Sequence, residues 1–149
     1  MIRILSIFFL VALGTFIIDQ NIKDIFVNGF FWDSDCISLE LHYNKGVAFS
    51  MFASLGEYVK WLQISIITLL LGYIFYDGVI KEFPFAFGLL VGGAFGNIYD
   101  RFIHEGVVDF VAWHCGFDFA IFNYADIMID IAILWILIGS WIAEKKLKK

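Results

Sequence analysis

The segment that decides the fold runs from Gly92 to Asp126 and reads GGAFGNIYDRFIHEGVVDFVAWHCGFDFAIFNYAD. It begins in an apolar, glycine-rich run and ends where a second apolar run starts. Acidic side chains, including Asp100 and Asp109, stand between these two runs. A carboxylate is unfavourable at the mouth of a membrane span, so acids there usually mark function. The segment therefore predicts a site at a membrane surface, with Asp109 and Asp126 as its candidate catalytic acids.

The composition indicates a chain embedded in a membrane. Its 149 residues suffice for one domain, and 61% are hydrophobic while 17% are charged. Soluble proteins average about 45–50% apolar and about 25% charged residues. No basic stripe crosses the apolar region, so we expect no nucleic-acid partner. The positive charge gathers in the C-terminal tail, at Lys145, Lys146, Lys148 and Lys149.

Two cysteines, Cys36 and Cys115, bear on cofactors and on the redox environment. Neither belongs to a CxxC motif or to a cluster with histidine, which disfavours zinc, and we expect no cofactor. We expect two structural thiols. The alternative, a disulfide formed in an oxidising compartment, stays open at this point.

Four apolar runs predict an all-α integral membrane protein, built as a single membrane-embedded domain over residues 1–149. A helix needs about 20 residues to cross roughly 30 Å of hydrocarbon. The first run lacks a small-x-small cleavage site, so we take it as a retained span rather than a signal peptide. In the third run, glycines recur every fourth residue and favour close helix packing. The predicted spans cover residues 2–19, 58–76, 83–99 and 125–143.

Two polar stretches, residues 24–57 and 100–124, separate these spans and hold candidate strands. CISLELHYN, at residues 36–44, alternates in part and carries β-branched and aromatic residues, which predicts a short strand pair, and VVDFVAW is strand-like. Within the first stretch, Asn44 either caps a turn or hydrogen-bonds a peptide backbone. Directly before the first polar stretch, DQNIK places Lys23 beside the membrane surface, where we expect an anchor cluster with a snorkelling lysine.

The charge distribution predicts the orientation in the membrane. Four spans put both termini on one side, and the lysine tail together with Arg3 marks that side as cytoplasmic. Both polar stretches then lie outside. The polar residues at the span ends consequently share one outer depth, and they are Asp19, Asn97, Asp100 and Asp126.

Carboxylates are the best candidates for hydrolytic chemistry in this chain. HExxH is absent, and no Ser-His-Asp or Cys-His arrangement stands out. Two carboxyl groups in a low-dielectric site share a proton, so the ionised one activates water while the protonated one polarises the scissile carbonyl. Arg101 follows Asp100 and is expected to form a scaffolding ion pair with it. Asp109 and Asp126 lack an adjacent cation, and Asp130, one helical turn after Asp126, remains an alternative partner.

Five motifs occur in a fixed order along nearly the whole chain. They are DQNIK (19–23), HYNKGVAFS (42–50), GGAFGNIYDR (92–101), VVDF (107–110) and FNYAD (122–126). In this series the sequence resembles the lipoprotein signal peptidase family, also called signal peptidase II. Two features depart from the family pattern: Glu105 stands where a glycine is usual, and no proline precedes FN. Asp130 matches no family motif.

The resemblance implies an aspartyl protease of the bacterial inner membrane, with four transmembrane helices and a small outer β-cradle. The implied partners are membrane lipid and a prolipoprotein whose cysteine carries a diacylglyceryl group, and the cut falls just before that cysteine. We expect a monomer. By resemblance, Asp109 and Asp126 are the catalytic pair. The residues that match pocket-lining, substrate-binding or supporting positions are Asn44, Asn97, Arg101, Asn123, Asp19, Asp100 and Gly93.

Two other functions stay open on the residues alone. A small transporter or proton relay would use acids spread across the bilayer, whereas most acids here gather at one depth. A non-catalytic assembly factor would depend mainly on the packing of the glycine face. Ion flux in reconstituted vesicles would favour the transporter, and wild-type behaviour of Asp109→Asn and Asp126→Asn together would support the assembly factor.

Overall fold

In the computed structural model, which describes residues 1–46, 55–104, 106–117 and 119–148, α-helices carry a small antiparallel sheet at one end. The helices are α1 (Ile2–Val27), α2 (Tyr58–Tyr76), α3 (Pro84–Ile103) and α4 (Tyr124–Leu147). The strands are β1 (Trp32–Asp33), β2 (Ile37–Asn44) and β3 (Val107–Trp113). A single 3₁₀ turn, Val79–Lys81, lies between α2 and α3.

Helix α3 is the centre of the bundle, because α1 and α4 both pack along it. Its glycines make this possible. A Cβ at Gly92 would lie 2.4 Å from the Ala12 carbonyl oxygen on α1, and a Cβ at Gly93 would lie 2.8 Å from the Ala125 carbonyl oxygen on α4. Only hydrogen fits at such distances. The predicted glycine face is confirmed, and Gly93 lies on a different face of the same helix, against α4.

Apolar side chains fill the two seams beside α3 and also cover the outside of the bundle. One core joins α1, α2 and α3 through Phe8, Ile74 and Val91, and a second joins α3 to α4 through Leu89 and Ala132. Large apolar side chains on the outer faces stay exposed, as expected where a helix meets lipid instead of water.

Three helices among the described residues, α1, α2 and α4, are long and apolar enough to cross a membrane. The chain is therefore a mostly helical, multi-pass membrane protein. The bounds of α2 match the predicted span. Helix α1 continues to Val27 instead of ending near Asp19, so the DQNIK motif lies inside the helix.

The sheet has the order β1-β2-β3, with both pairs antiparallel. The strand predicted from VVDFVAW is confirmed, whereas CISLELHYN forms one strand, β2, instead of a short strand pair and pairs with the two-residue β1. The register pairs His42 with Asp109, and an isolated bridge joins Val111 to Phe122. This bridge returns the chain to the start of α4. The ring of Phe110 on β3 stacks on Phe26 of α1, with centroids 4.2 Å apart, which fixes the sheet on the helices.

A disulfide joins Cys36 to Cys115 across the far end of the sheet. The expectation of two unpaired structural thiols was therefore wrong. The register of β2 and β3 places Ile37 opposite Trp113, and the amide of His114 donates to the Cys36 carbonyl at 3.0 Å. Strand pairing thus brings the two cysteines together, which composition and spacing do not reveal.

Candidate active site

A buried lysine, Lys23, lies at the base of the site. Its side chain is 2% exposed. The Lys23 Nζ atom lies 2.8 Å from a carboxylate oxygen of Asp19 and 2.7 Å from one of Asp100, and it donates to Asn97 Oδ1 at 2.9 Å. The expected snorkelling lysine was wrong, because a buried ammonium is tolerated when paired and hydrogen-bonded. One cation therefore holds two carboxylates in place.

The expected ion pair between Asp100 and Arg101 was also wrong. Neighbouring residues on a helix do not face each other, and the carboxylate of Asp100 turns to Lys23 instead. The same Asp100 oxygen, Oδ2, also accepts a hydrogen bond from the backbone amide of Val108 at 3.1 Å, which ties α3 to the start of β3. The Arg101 Nη2 atom donates to the carbonyl of Gly46, at the end of β2.

The start of α4 is fixed by two carboxylates and an amide. Asn123 caps the helix. Its side-chain Oδ1 accepts a hydrogen bond from the backbone N–H of Asp126 at 2.9 Å, and its backbone N–H donates to Asp126 Oδ2 at 3.2 Å. This is a capping box, and it satisfies amides that a helix start leaves free. From α1, Asp19 accepts the amide of Ala125 at 3.0 Å. The orientation of Asp126 is thus determined by the helix cap itself.

Asn123 also links the two candidate catalytic acids. Its Nδ2 atom donates to Asp109 Oδ1 at 2.7 Å, while its backbone amide contacts Asp126. Asn97 supports the same arrangement from α3, donating to Asp126 Oδ1 at 2.9 Å and accepting from Asn123 Nδ2 at 3.0 Å. Asp109 and Asp126, distant in sequence, therefore flank one asparagine.

Asn44 completes the surroundings of Asp109. Its Nδ2 donates to Asp109 Oδ2 at 2.9 Å, and its Oδ1 accepts the amide of Gly46 at 3.0 Å. The turn-capping alternative for Asn44 is confirmed, and the contact with Asp109 is an additional one. Each oxygen of the Asp109 carboxylate thus accepts one side-chain amide.

The pKa of Asp109 is raised to about 6. Burial is the main cause, since it disfavours the charged form, and the nearby charge of Asp126 acts in the same direction. The amides of Asn44 and Asn123 oppose this change by stabilising the carboxylate. A carboxyl with a pKa near 6 gains and loses its proton close to neutral pH, as an acid–base catalyst requires.

A cavity of about 400 Å³ adjoins both acids. It lies among α2, α3, α4 and the sheet. Its lining includes both catalytic candidates, three of the predicted pocket residues and an apolar wall: Asp109, Asp126, Asn44, Asn97, Arg101, Phe119, Phe122 and Ile129. A cavity lined by both polar and apolar groups can hold a ligand that carries both kinds of group.

The structure brings all the predicted site residues into one connected region. Asn44, Asn97, Arg101, Asn123 and the two acids surround or adjoin the cavity. Asp19 and Asp100 support it from below through Lys23, and Gly93 allows α4 to approach α3. Residues 47–50 of the HYNKGVAFS motif and the departure at Glu105 lie outside the described residues.

Two residues that contact the supporting acids, Lys23 and Gln20, were not among the predicted site residues. Gln20 Nε2 donates to both buried acids, at 3.1 Å to Asp19 and 3.0 Å to Asp100. The i,i+4 spacing of Asp19 and Lys23 was the available signal, because it is the spacing of a helical ion pair.

Comparison with known proteins gives a consistent result. The family model described as signal peptidase (SPase) II matches residues 11–142. The lipoprotein signal peptidase of Sulfurovum sp. (strain NBC37-1) is 59% identical over 136 residues, covering 91% of this chain and 93% of the relative. That of Sulfurimonas denitrificans is 57% identical over 139 residues, covering 92% and 89%.

Similarity extends to a more distant relative and to a solved structure. The lipoprotein signal peptidase of Wolinella succinogenes is 45% identical over 146 residues, covering 96% of each chain. A bacterial membrane enzyme solved by the in meso method at 2.3 Å resolution superposes with a TM-score of 0.78. It is 30% identical, and the match covers 94% of this chain and 90% of that one.

Proposed function

Because this chain belongs to the signal peptidase II family of proteases, we propose that Asp109 and Asp126 are its catalytic pair and that its substrates are lipid-modified prolipoproteins. The observation that carries the proposal is the position of Asn123, which hydrogen-bonds to both carboxyl groups at the edge of the cavity. Both acids thereby face a space that a substrate can occupy.

The proposed reaction uses one water and one proton shared by the pair. The ionised carboxylate takes a proton from water as the water oxygen attacks the scissile carbonyl carbon. The protonated carboxyl hydrogen-bonds to the carbonyl oxygen, where negative charge develops. When the carbon–nitrogen bond breaks, the proton taken from water passes to the leaving amine. The pair then holds one proton again, and its pKa values belong to both acids together.

Asn44, Asn97 and Asn123 act in this proposal as positioning residues. Their amides donate to the carboxylate oxygens and so orient the two acids. Arg101 lines the same cavity and is nine-tenths buried, so its guanidinium is placed to bind a substrate carbonyl. Asp19 and Asp100 hold the base of the site through Lys23.

We further propose four spans, with α3 as the span enclosed by the others and the sheet on the outer side of the inner membrane. Two observations support this orientation. The disulfide between Cys36 and Cys115 fits an oxidising compartment. Lys145, Lys146 and Lys148 lie at the other end of α4, and positive residues favour the cytoplasmic side. Both termini are then cytoplasmic.

This location fits the proposed substrate. A diacylglyceryl group lies in the outer leaflet, so the peptide bond next to the modified cysteine lies near the membrane surface. The cavity lies beside the proposed catalytic pair, and its lining includes the apolar side chains of Phe119, Phe122 and Ile129. Every residue of the proposed site comes from one chain, so we expect a monomer to be active.

The test is cleavage of a lipid-modified precursor by the purified chain in lipid vesicles. Wild type should cut just before the modified cysteine, while Asp109→Asn and Asp126→Asn should abolish cleavage and stay folded. Asp77→Asn removes an exposed acid at the other end of α2 and is the matched control, with activity retained. Full activity in either site variant would end the assignment of the pair, and equal cleavage of the unmodified peptide would end that of the substrate.

A further inference from the structure

The cavity beside the catalytic pair contains polar groups that the proposed mechanism does not use. Gln63 on α2 and Asp130 on α4 both line it. The Oε1 atom of Gln63 is buried and has no hydrogen-bond partner among the described residues. On α3, the Nε and Nη1 atoms of Arg101 are likewise buried and have no hydrogen-bond partner among the described residues. A buried polar atom without a partner is unfavourable, so these atoms indicate a ligand.

Asp130 points to the same conclusion by a different argument. It lies one helical turn deeper than Asp126, within an apolar helix that is long enough to cross a membrane. It is exposed and forms no hydrogen bond or ion pair with the part of the chain that the structure describes. An acid at that depth faces a cavity or a partner, because contact with lipid is unfavourable.

The chemistry of these groups limits what the ligand can be. Gln63 Oε1 only accepts hydrogen bonds, so its partner must carry a donor. The esters of a diacylglyceryl group only accept, and can satisfy Arg101 but not Gln63. A helical peptide has already used its N–H groups internally. An extended peptide backbone offers both N–H and C=O groups, and such backbone is tolerated at membrane depth where protein encloses it.

We propose that Gln63 and Asp130 form a subsite that binds backbone N–H groups of the substrate's signal-peptide segment, held extended beside the catalytic pair. This rests on the proposed function. Asp130 lies deeper in the membrane than the catalytic acids, and the signal peptide is the part of the precursor embedded there. The subsite therefore serves the residues that precede the scissile bond, and it favours unwinding of their helix by replacing the hydrogen bonds that unwinding breaks.

The experiment uses a series of lipid-modified precursors in which one backbone amide before the scissile bond is replaced by an ester. Each ester removes a single N–H group. In the wild-type chain, one or two positions should lower kcat/KM about fivefold, the effect of one hydrogen bond. At one such position, Gln63→Met should cleave the ester precursor with the same kcat/KM as the all-amide precursor. At the same position or at a second one, Asp130→Ala should likewise show equal kcat/KM for the ester and the amide. Ser65→Ala, which removes an α2 hydroxyl bonded to its own helix, should respond like wild type.

Two results would overturn the subsite. One is a wild-type series in which no ester position is slower than the amide. The other is an ester loss of equal size in wild type, Gln63→Met and Asp130→Ala. The wild-type series needs no variant to fold, so it decides the question even if a substitution damages the protein. Absence of cleavage of the all-amide precursor would instead overturn the proposed function.

Discussion

Replacing the buried lysine at the base of the site should destabilise the protein more than any other single charge removal. Lys23→Met keeps the length and packing of the aliphatic stem but removes the ammonium group. Asp19 and Asp100 are each 0% exposed and would lose their cation. Removing one partner of a buried ion pair is unfavourable by about 3–5 kcal/mol, and the lost hydrogen bond to Asn97 adds about 1 kcal/mol.

The assay is the free energy of unfolding in mixed micelles at neutral pH. Lys148→Met is the matched control, because Lys148 pairs with Glu144 and both side chains are exposed, so it should change the free energy by less than about 1 kcal/mol. Adding Asp19→Asn and Asp100→Asn to Lys23→Met should restore part of the loss, since the buried charges are then gone. The reasoning is refuted if Lys23→Met is as stable as Lys148→Met.

Two further predictions concern Asp109 and the glycine face. The pKa of Asp109 in the folded protein is raised from 3.8 to about 6, so ionisation of Asp109 opposes folding. Relative to Asp109→Asn, the wild-type chain should therefore lose about 3 kcal/mol of unfolding free energy as the pH rises from about 4 to about 6. A stability difference between the two chains that does not change with pH would contradict the burial argument. Gly96→Ala should sharply lower stability and cleavage, because the new Cβ would lie 2.3 Å from Asp19 Oδ2, whereas Gly72→Ala meets nothing within 4 Å and should be neutral in both assays.

The sequence predicted the helices well because an apolar run of span length has few alternatives to a helix in lipid. It also indicated β2 and β3, and it selected Asp109 and Asp126 through motifs that occur far apart. These features depend on residue type and local order. Residue type and spacing left Asp130 as an alternative to Asp126 for the catalytic pair, and only the family motifs distinguished the two.

The errors arose where contacts between distant segments decide the outcome. Whether Lys23 reaches the membrane surface or stays buried depends on Asp100, which only the packing of α1 on α3 brings near. Adjacency suggested a pair between Asp100 and Arg101, but consecutive residues on a helix point in different directions. The disulfide depends on the register of β2 against β3, which the cysteine spacing does not encode.

The central claim is that Asp109 and Asp126 act as one unit, and a comparison of single and double variants tests it most directly. Single-turnover cleavage of a lipid-modified precursor is measured for Asp109→Asn, Asp126→Asn and the double variant. Acid–base groups contribute about 10²–10⁴ in rate, and residues that act together are not additive. We predict that the double variant is no slower than the slower single variant. The account would be contradicted if the rate losses of the two single variants multiplied in the double variant. Cleavage by either single variant at nearly the wild-type rate would contradict it as well.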